Sequence, residues 1–211
     1  EAVRQIERHF GRVVTYEDTS YVNADDILDV TEKVRRDGQM SQRVLVMRPG
    51  SIEFTYASRS KTVEGQLEDV LVEVFARSSR AGNSGDFRFE AAKGGAYHVV
   101  PVARTGASGA TEVYASPLET RVTFMSQESS AFEVLLLLAS ELSARSGRLV
   151  QPGVMPVNLL ARTRVTTEAH DDRARDVLCQ LLQSVNPALS WQLFCAVGEA
   201  GACAINIHAV R

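Results

Sequence analysis

The sequence predicts an α+β fold: two tandem βαββαββ modules, the first lacking its initial strand, each with a small sheet packed on two helices. Three observations predict it. Short alternating segments and longer apolar stripes at 3.6-residue spacing succeed one another along the chain. The order strand, helix, strand, strand, helix, strand, strand runs through residues 120–210. A shorter version of that order runs through residues 2–102. The expected division is a first module over residues 1–103, with a long loop at 31–50, a linker at 104–118, and a second module over 119–211.

The second module is the clearer one. Residues 120–124 alternate, with Val122 and Phe124 on one face, and read as a half-buried strand. Ser130 with Glu133 three residues on forms a capping box at a helix start. The helix carries Phe132, Leu135, Leu136, Ala139 and Leu142 as its stripe, widened by Val134, Leu137 and Leu138, so it is buried on more than one side. Gly147 sits where a left-handed glycine ends it. A short strand at 148–151 stops at Pro152. Residues 164–169 alternate again, and Asp171 or Asp172 caps a second helix with the stripe Ala174, Val177, Leu178, Leu181, Leu182 and Val185. Strands at 191–197 and 202–210 close the module as a hairpin.

These residues resemble the short N-terminal domain of secretins and TonB-dependent receptors, known as STN. The resemblance rests on Val122-Thr-Phe124, the helix ending at Gly147, Leu149-Val-Gln-Pro152, Arg164-Val-Thr-Thr-Glu168, Val177-Leu178 with Leu181-Leu182, and Ala204-Ile-Asn-Ile-His208. It implies a periplasmic docking unit of the kind used in outer-membrane secretion and uptake. The protein is then expected in the periplasm or secreted, with its signal peptide removed.

The first half opens with a helix whose stripe is Val3, Ile6 and Phe10, ended by Gly11 and followed by a strand at 12–17. The strand expected before that helix is missing, so either the chain begins just after it or another segment supplies it. Residues 17–30 are acidic, with Tyr16 and Tyr21 nearby. Their spacing fails the alternation a calcium loop needs, and a solvated loop is favoured. Residues 31–50 are basic and lack periodicity. They read as an exposed connection with an extra edge strand at 43–47, or as a docking loop for an anionic partner. A strand follows at 51–57, on Ile52, Phe54 and Tyr56. Thr62 caps a helix with the stripe Val63, Leu67, Val70, Leu71, Val74 and Phe75, and a hairpin at 86–102 turns on Lys93-Gly-Gly95. Asp69-Val-Leu71 here matches Asp176-Val-Leu178 in the second half. Residues 104–110 read as linker, with a short strand at 112–115.

Composition bounds the function. The 211 residues are 45 % hydrophobic and 23 % charged with a net charge of −3, which leaves no electrostatic footprint for nucleic acid. No apolar run is long enough to insert in a membrane. No P-loop, dinucleotide fingerprint, nucleophile elbow or zinc-ligand spacing occurs, so no catalytic, cofactor or metal residue is assigned. His170 with Asp171 could form a base and its orienting carboxylate, but nothing supplies a nucleophile. His98 and His208 read as strand-face positions. Cys179 reads as a buried thiol. Cys195 and Cys203 lie on opposite arms of the closing hairpin, either bridged or facing different layers. The expected function is a non-catalytic interaction module for a protein partner in the cell envelope. Its surface is assigned to Tyr16, Tyr21, Asp25, Asp26, Arg35, Arg36 and Arg43. A small-ligand or glycan-binding module, using the Tyr16/Tyr21 loop as platform, is the alternative. An enzyme with a site between the modules, marked by the 25–29 loop facing His170, is the third reading.

Overall fold

The computed structural model describes residues 1–34, 43–48, 50–53, 55, 60–80, 85–125, 128–198 and 201–210. In chain order the elements are α1 (Ala2–Phe10), β1 (Val14–Glu17), β2 (Ile27–Asp29), α2 (Thr31–Val34), β3 (Leu45–Met47), α3 (Val63–Arg80), β4 (Asp86–Ala91), β5 (Tyr97–Thr105), β6 (Thr111–Val113), β7 (Arg121–Met125), β8 (Ser129–Ser130), α4 (Ala131–Ser146), β9 (Val150–Pro152), α5 (Val157–Arg162), β10 (Arg164–Val165), β11 (Glu168–Arg173), α6 (Ala174–Val185), β12 (Leu189–Cys195) and β13 (Cys203–Ala209). The class is α+β, as expected.

Local chemistry explains most boundaries. At α4 the Ser130 hydroxyl accepts from the Glu133 amide while the Glu133 carboxylate accepts from Ser130, so two orphan donors of the first turn are satisfied. Gly11 and Gly147 end α1 and α4 in the left-handed conformation, where a Cβ would be strained. The Thr62 hydroxyl accepts from the Gly65 amide at the start of α3.

The strands assemble differently from two separate small sheets. One sheet runs β4-β5-β1-β12-β13-β9, with β6 paired to β5. The strand β1 lies parallel to both β5 and β12, so hairpins from the two halves flank it. The physical reason is the edge: β1 alone would expose a row of unpaired backbone groups, and two parallel neighbours satisfy them. The two halves keep separate cores on opposite faces of this sheet. Val14, Tyr97 and Val99 pack with α1 and α3 through Val3, Ile6, Leu67, Val70, Leu71 and Val74. Trp191, Leu193, Cys203, Ile205 and Ile207 pack with α4 and α6 through Val134, Leu135, Leu138, Leu142, Val177, Leu178, Leu181 and Leu182. Strand alternation produces the split, because successive side chains leave on opposite faces. The Val-Leu pair of each Asp-Val-Leu triplet lies in its own core.

Other expectations are corrected. Residues 104–105 and 111–113 form a β5–β6 hairpin and not a free linker. Neither Asp171 nor Asp172 caps α6. The strand β11 runs on to Arg173, pairing across to Arg121, and the helix starts only at Ala174. Asp172 instead accepts from the His170 amide, and Asp171 takes a positive φ of 58° at a bulge. The edge strand expected at 43–47 is β3, antiparallel to β2 in a ribbon outside the main sheet. The short helices α2 and α5 have no counterpart in the sequence reading. Of the strand expected at 51–57, residues 54 and 56–57 lie outside those described; 51–53 and 55 are in no regular element.

Candidate functional site

The run that leaves β1 carries the most unusual chemistry. Glu17, Asp18, Thr19, Ser20 and Tyr21 are all buried, which overturns the solvated loop over residues 17–21, while Asp25 and Asp29 further on are exposed. They are tolerated because each charge finds partners. The Glu17 carboxylate receives the Arg175 guanidinium, with NH2 to Oε2 at 3.0 Å, and Arg175 NH2 also lies 2.8 Å from Glu119 Oε1. Burial raises the Glu17 pKa, opposed by the hydrogen bonds and charge of Arg175. One guanidinium nitrogen, NH1, has no hydrogen-bond partner among the described residues. Asp18 Oδ1 accepts from the Tyr21 hydroxyl at 2.6 Å, the Tyr16 hydroxyl at 3.0 Å and the Thr19 amide at 3.1 Å. Burial nevertheless pushes Asp18 up to about 6 and raises both tyrosines.

The assigned interaction residues therefore separate. Tyr16 and Tyr21 turn their hydroxyls inward onto Asp18, and both residues line a cavity. Asp25 is exposed on a turn stitched by Asn23, whose side chain accepts from the Asp25 amide at 2.8 Å. Asp26 follows it on the same turn. Arg43 pairs with Asp29 at 2.8 Å, and Thr31, ahead of Arg43, holds the Asp29 carboxyl down at about 2. Arg35 and Arg36 lie outside the described residues.

Two cavities of ligand size flank β1 and β12. The first, about 450 Å³, lies on the α1/α3 face. Its aromatic wall is continuous: Phe75 stacks on Phe87 at 6.2 Å, Phe87 meets Tyr16 at 5.6 Å, and Tyr16 meets Phe194 at 6.0 Å. Asp26, Arg48 and Gln192 supply its polar groups. Alternation along β12 sends Gln192 and Phe194 to this face and Trp191 and Leu193 to the other.

The second cavity, about 540 Å³, lies on the opposite face and holds Thr15, His98, Cys179 and Trp191. His98 Nδ1 sits 2.6 Å from the Thr15 hydroxyl, and Nε2 sits 3.7 Å from the Cys179 sulfur. The order sulfur, imidazole, orienting hydroxyl is that of an activated thiol. The electrostatics oppose it. Burial pushes His98 down to about 4 and the Cys179 thiol up to about 11, so both rest neutral at pH 7. A thiolate–imidazolium pair needs the reverse shifts. His98 is thus more than a strand-face position, and so is His208, whose Nε2 meets the buried Glu7 carboxylate of α1 at 2.6 Å.

The base considered and set aside at His170 is not assembled. His170 is exposed, 3.6 Å from Glu168, while Asp171 reaches Arg121. No hydrogen bond or ion pair joins the 25–29 loop to His170 among the described residues. Cys195 and Cys203 stand directly opposite in the β12–β13 ladder and are bridged. Among the described residues no cluster of three His, Cys, Asp or Glu side chains could hold a metal, and no helix is long and apolar enough to cross a membrane.

Sequence reasoning missed Glu17, Asp18 and Arg175, and it missed the pairing of His98 with Cys179. The one available signal was alternation: continued past Glu17, it would have placed an acid on the inner face. No family model matches the chain, and neither do the curated proteins or the solved structures.

Proposed function

We propose that this chain is a non-catalytic recognition module of the extracytoplasmic space that docks a protein partner in the cell envelope. The observation that carries the reading is the β2–β3 ribbon. Leu45, Val46 and Met47 are 40 %, 38 % and 43 % exposed there, side by side and outside the main sheet. Contiguous exposed apolar residues rimmed by charge, here the Asp29–Arg43 pair, mark contact surfaces. The far edge of the main sheet is a poorer docking place. At β9 the Val150 amide is taken by the Ser143 hydroxyl at 2.9 Å, and Pro152 has no N–H to offer. The Cys195–Cys203 bridge supports the compartment, since disulfides persist in oxidising environments.

Site-specific photocrosslinking tests the docking. A benzoylphenylalanine at Val46 is expected to give a discrete adduct with an envelope protein in the native cell, and one at Arg145, exposed on α4, none. Equal adducts from both positions, or none from either, would remove the reading. The aromatic cavity favours a second reading, a small-ligand module.

A further inference from the structure

The aromatic cavity contains a polar atom that the fold itself leaves unsatisfied. Asp26 Oδ2 is shielded from solvent and makes no hydrogen bond with any described residue. Gln192 is 3 % exposed and lines the cavity beside it. A buried acceptor without a donor costs about 1–3 kcal/mol, so native proteins rarely keep one except where another group fills the need. These two sit against the wall built by Phe75, Phe87, Tyr16 and Phe194. The neighbouring cation is partly committed elsewhere: Arg48 gives its Nε to the Asp25 carbonyl at 2.7 Å. The Glu1 carboxylate at the rim is held by Arg8. The buried acceptor of the cavity is thus Asp26 Oδ2, with the Gln192 amide and the Arg48 guanidinium beside it and an apolar, aromatic body facing it.

We propose that this cavity binds a small amphipathic amine, its aromatic or alkyl body against the Phe75–Phe87–Tyr16–Phe194 wall and its N–H groups donated to Asp26 Oδ2 and the Gln192 amide oxygen. Aromatic faces favour a cation as well as an apolar body, so the wall and the carboxylate select the same ligand. The volume, about 450 Å³, exceeds a single ring and leaves room for an arylalkyl chain. The inference rests on the small-ligand reading and stands apart from docking at the ribbon. The two fail separately: crosslinking reads the ribbon, and titration of the isolated chain reads the cavity.

The test is calorimetric titration of the intact chain with tyramine and, as a charge-reversed body of similar size, 3-phenylpropionate. Tyramine is expected to bind, with the ring resonances of Tyr16 and Phe194 shifting in NMR spectra, and phenylpropionate to bind at least tenfold more weakly. Asp26→Asn is expected to weaken tyramine about tenfold and Gln192→Leu several-fold, each with unchanged thermal unfolding. Gln192→Leu also serves if Asp26→Asn fails to fold. Absence of tyramine binding at millimolar concentration, equal binding of the carboxylate, or binding indifferent to the variants that fold would overturn the proposal.

Discussion

Glu17 at the end of β1 and Arg175 in the first turn of α6 are 158 residues apart in the chain, yet they form an ion pair with no side-chain surface left to solvent. Each was drawn out of water at a cost that only the other repays, and Glu119 adds a second carboxylate to the same guanidinium. The pair ties the strand at the centre of the sheet to a helix of the other half.

Breaking one side is therefore expected to cost more than removing both. Glu17→Gln or Arg175→Met should each lower stability by about 3 kcal/mol. The double variant Glu17→Leu/Arg175→Met should lose much less than the sum. Urea denaturation followed by circular dichroism reads the difference; additive losses would show that the two charges do not depend on each other.

The pH response follows from Asp18 and His98. Asp18, pushed up to about 6, keeps its proton in the folded chain after the unfolded chain has lost it. Rising pH through about 4 to 6 therefore costs about 3 kcal/mol. Glu17, raised by the same burial, acts in the same sense. His98, pushed down to about 4, is protonated in the unfolded chain first, so falling pH below about 6.5 costs about 3 kcal/mol. The wild type should show a shallow profile from pH 4 to 7. Asp18→Asn should lose stability as pH falls through that window, and His98→Gln should gain it. Thermal melts across the window that run parallel for all three proteins would contradict the assignment.

Thiol counting tests the cysteines. Unfolded without reductant, the chain should show one reactive thiol, and three after reduction. In the folded protein Cys179, pushed up to about 11, should react with a disulfide reagent at pH 8 about a hundredfold more slowly than free cysteine. The Cys195→Ser/Cys203→Ser double variant should lose about 2–3 kcal/mol, the loop-closure value for a bridge across eight positions.

A buried carboxylate also joins α1 to the sheet. Glu7 accepts from the Val14 amide at 3.0 Å with one oxygen and meets His208 with the other. His208→Leu should leave that second oxygen unpaired and cost about 2 kcal/mol. A loss under about 0.5 kcal/mol in chemical denaturation would mean that water replaces the contact.

What was legible in the sequence was local. The Ser130–Glu133 box, the glycines at 11 and 147, and the stripes of α3, α4 and α6 are set by neighbours within one or two turns. The hairpin register that opposes Cys195 and Cys203 is nearly as local. What stayed hidden was long-range. Nothing near Val14–Glu17 announces a parallel partner some 176 residues on, and parallel pairing leaves no turn signature between its strands. Arg175 lies on a helix whose stripe was read from apolar residues alone, so its burial was invisible. Glu17 and Asp18 looked solvated because isolated charges are; their partners come from α6, from Glu119's neighbourhood and from the two tyrosines. The aromatic cavity was half visible, as Tyr16, Tyr21 and Asp26. Gln192, Phe87 and Phe194 join it only through the shared sheet.

That shared sheet is the central claim, and amide hydrogen exchange at one position tests it most directly. The Asp18 amide donates to the Leu193 carbonyl at 2.9 Å, a bond that exists only if strands from the two halves run side by side. The account predicts that Asp18 exchanges among the slowest amides, together with those of β12 and β13. Fast exchange at Asp18 while β12 and β13 stay protected would mean that each half closes its own sheet.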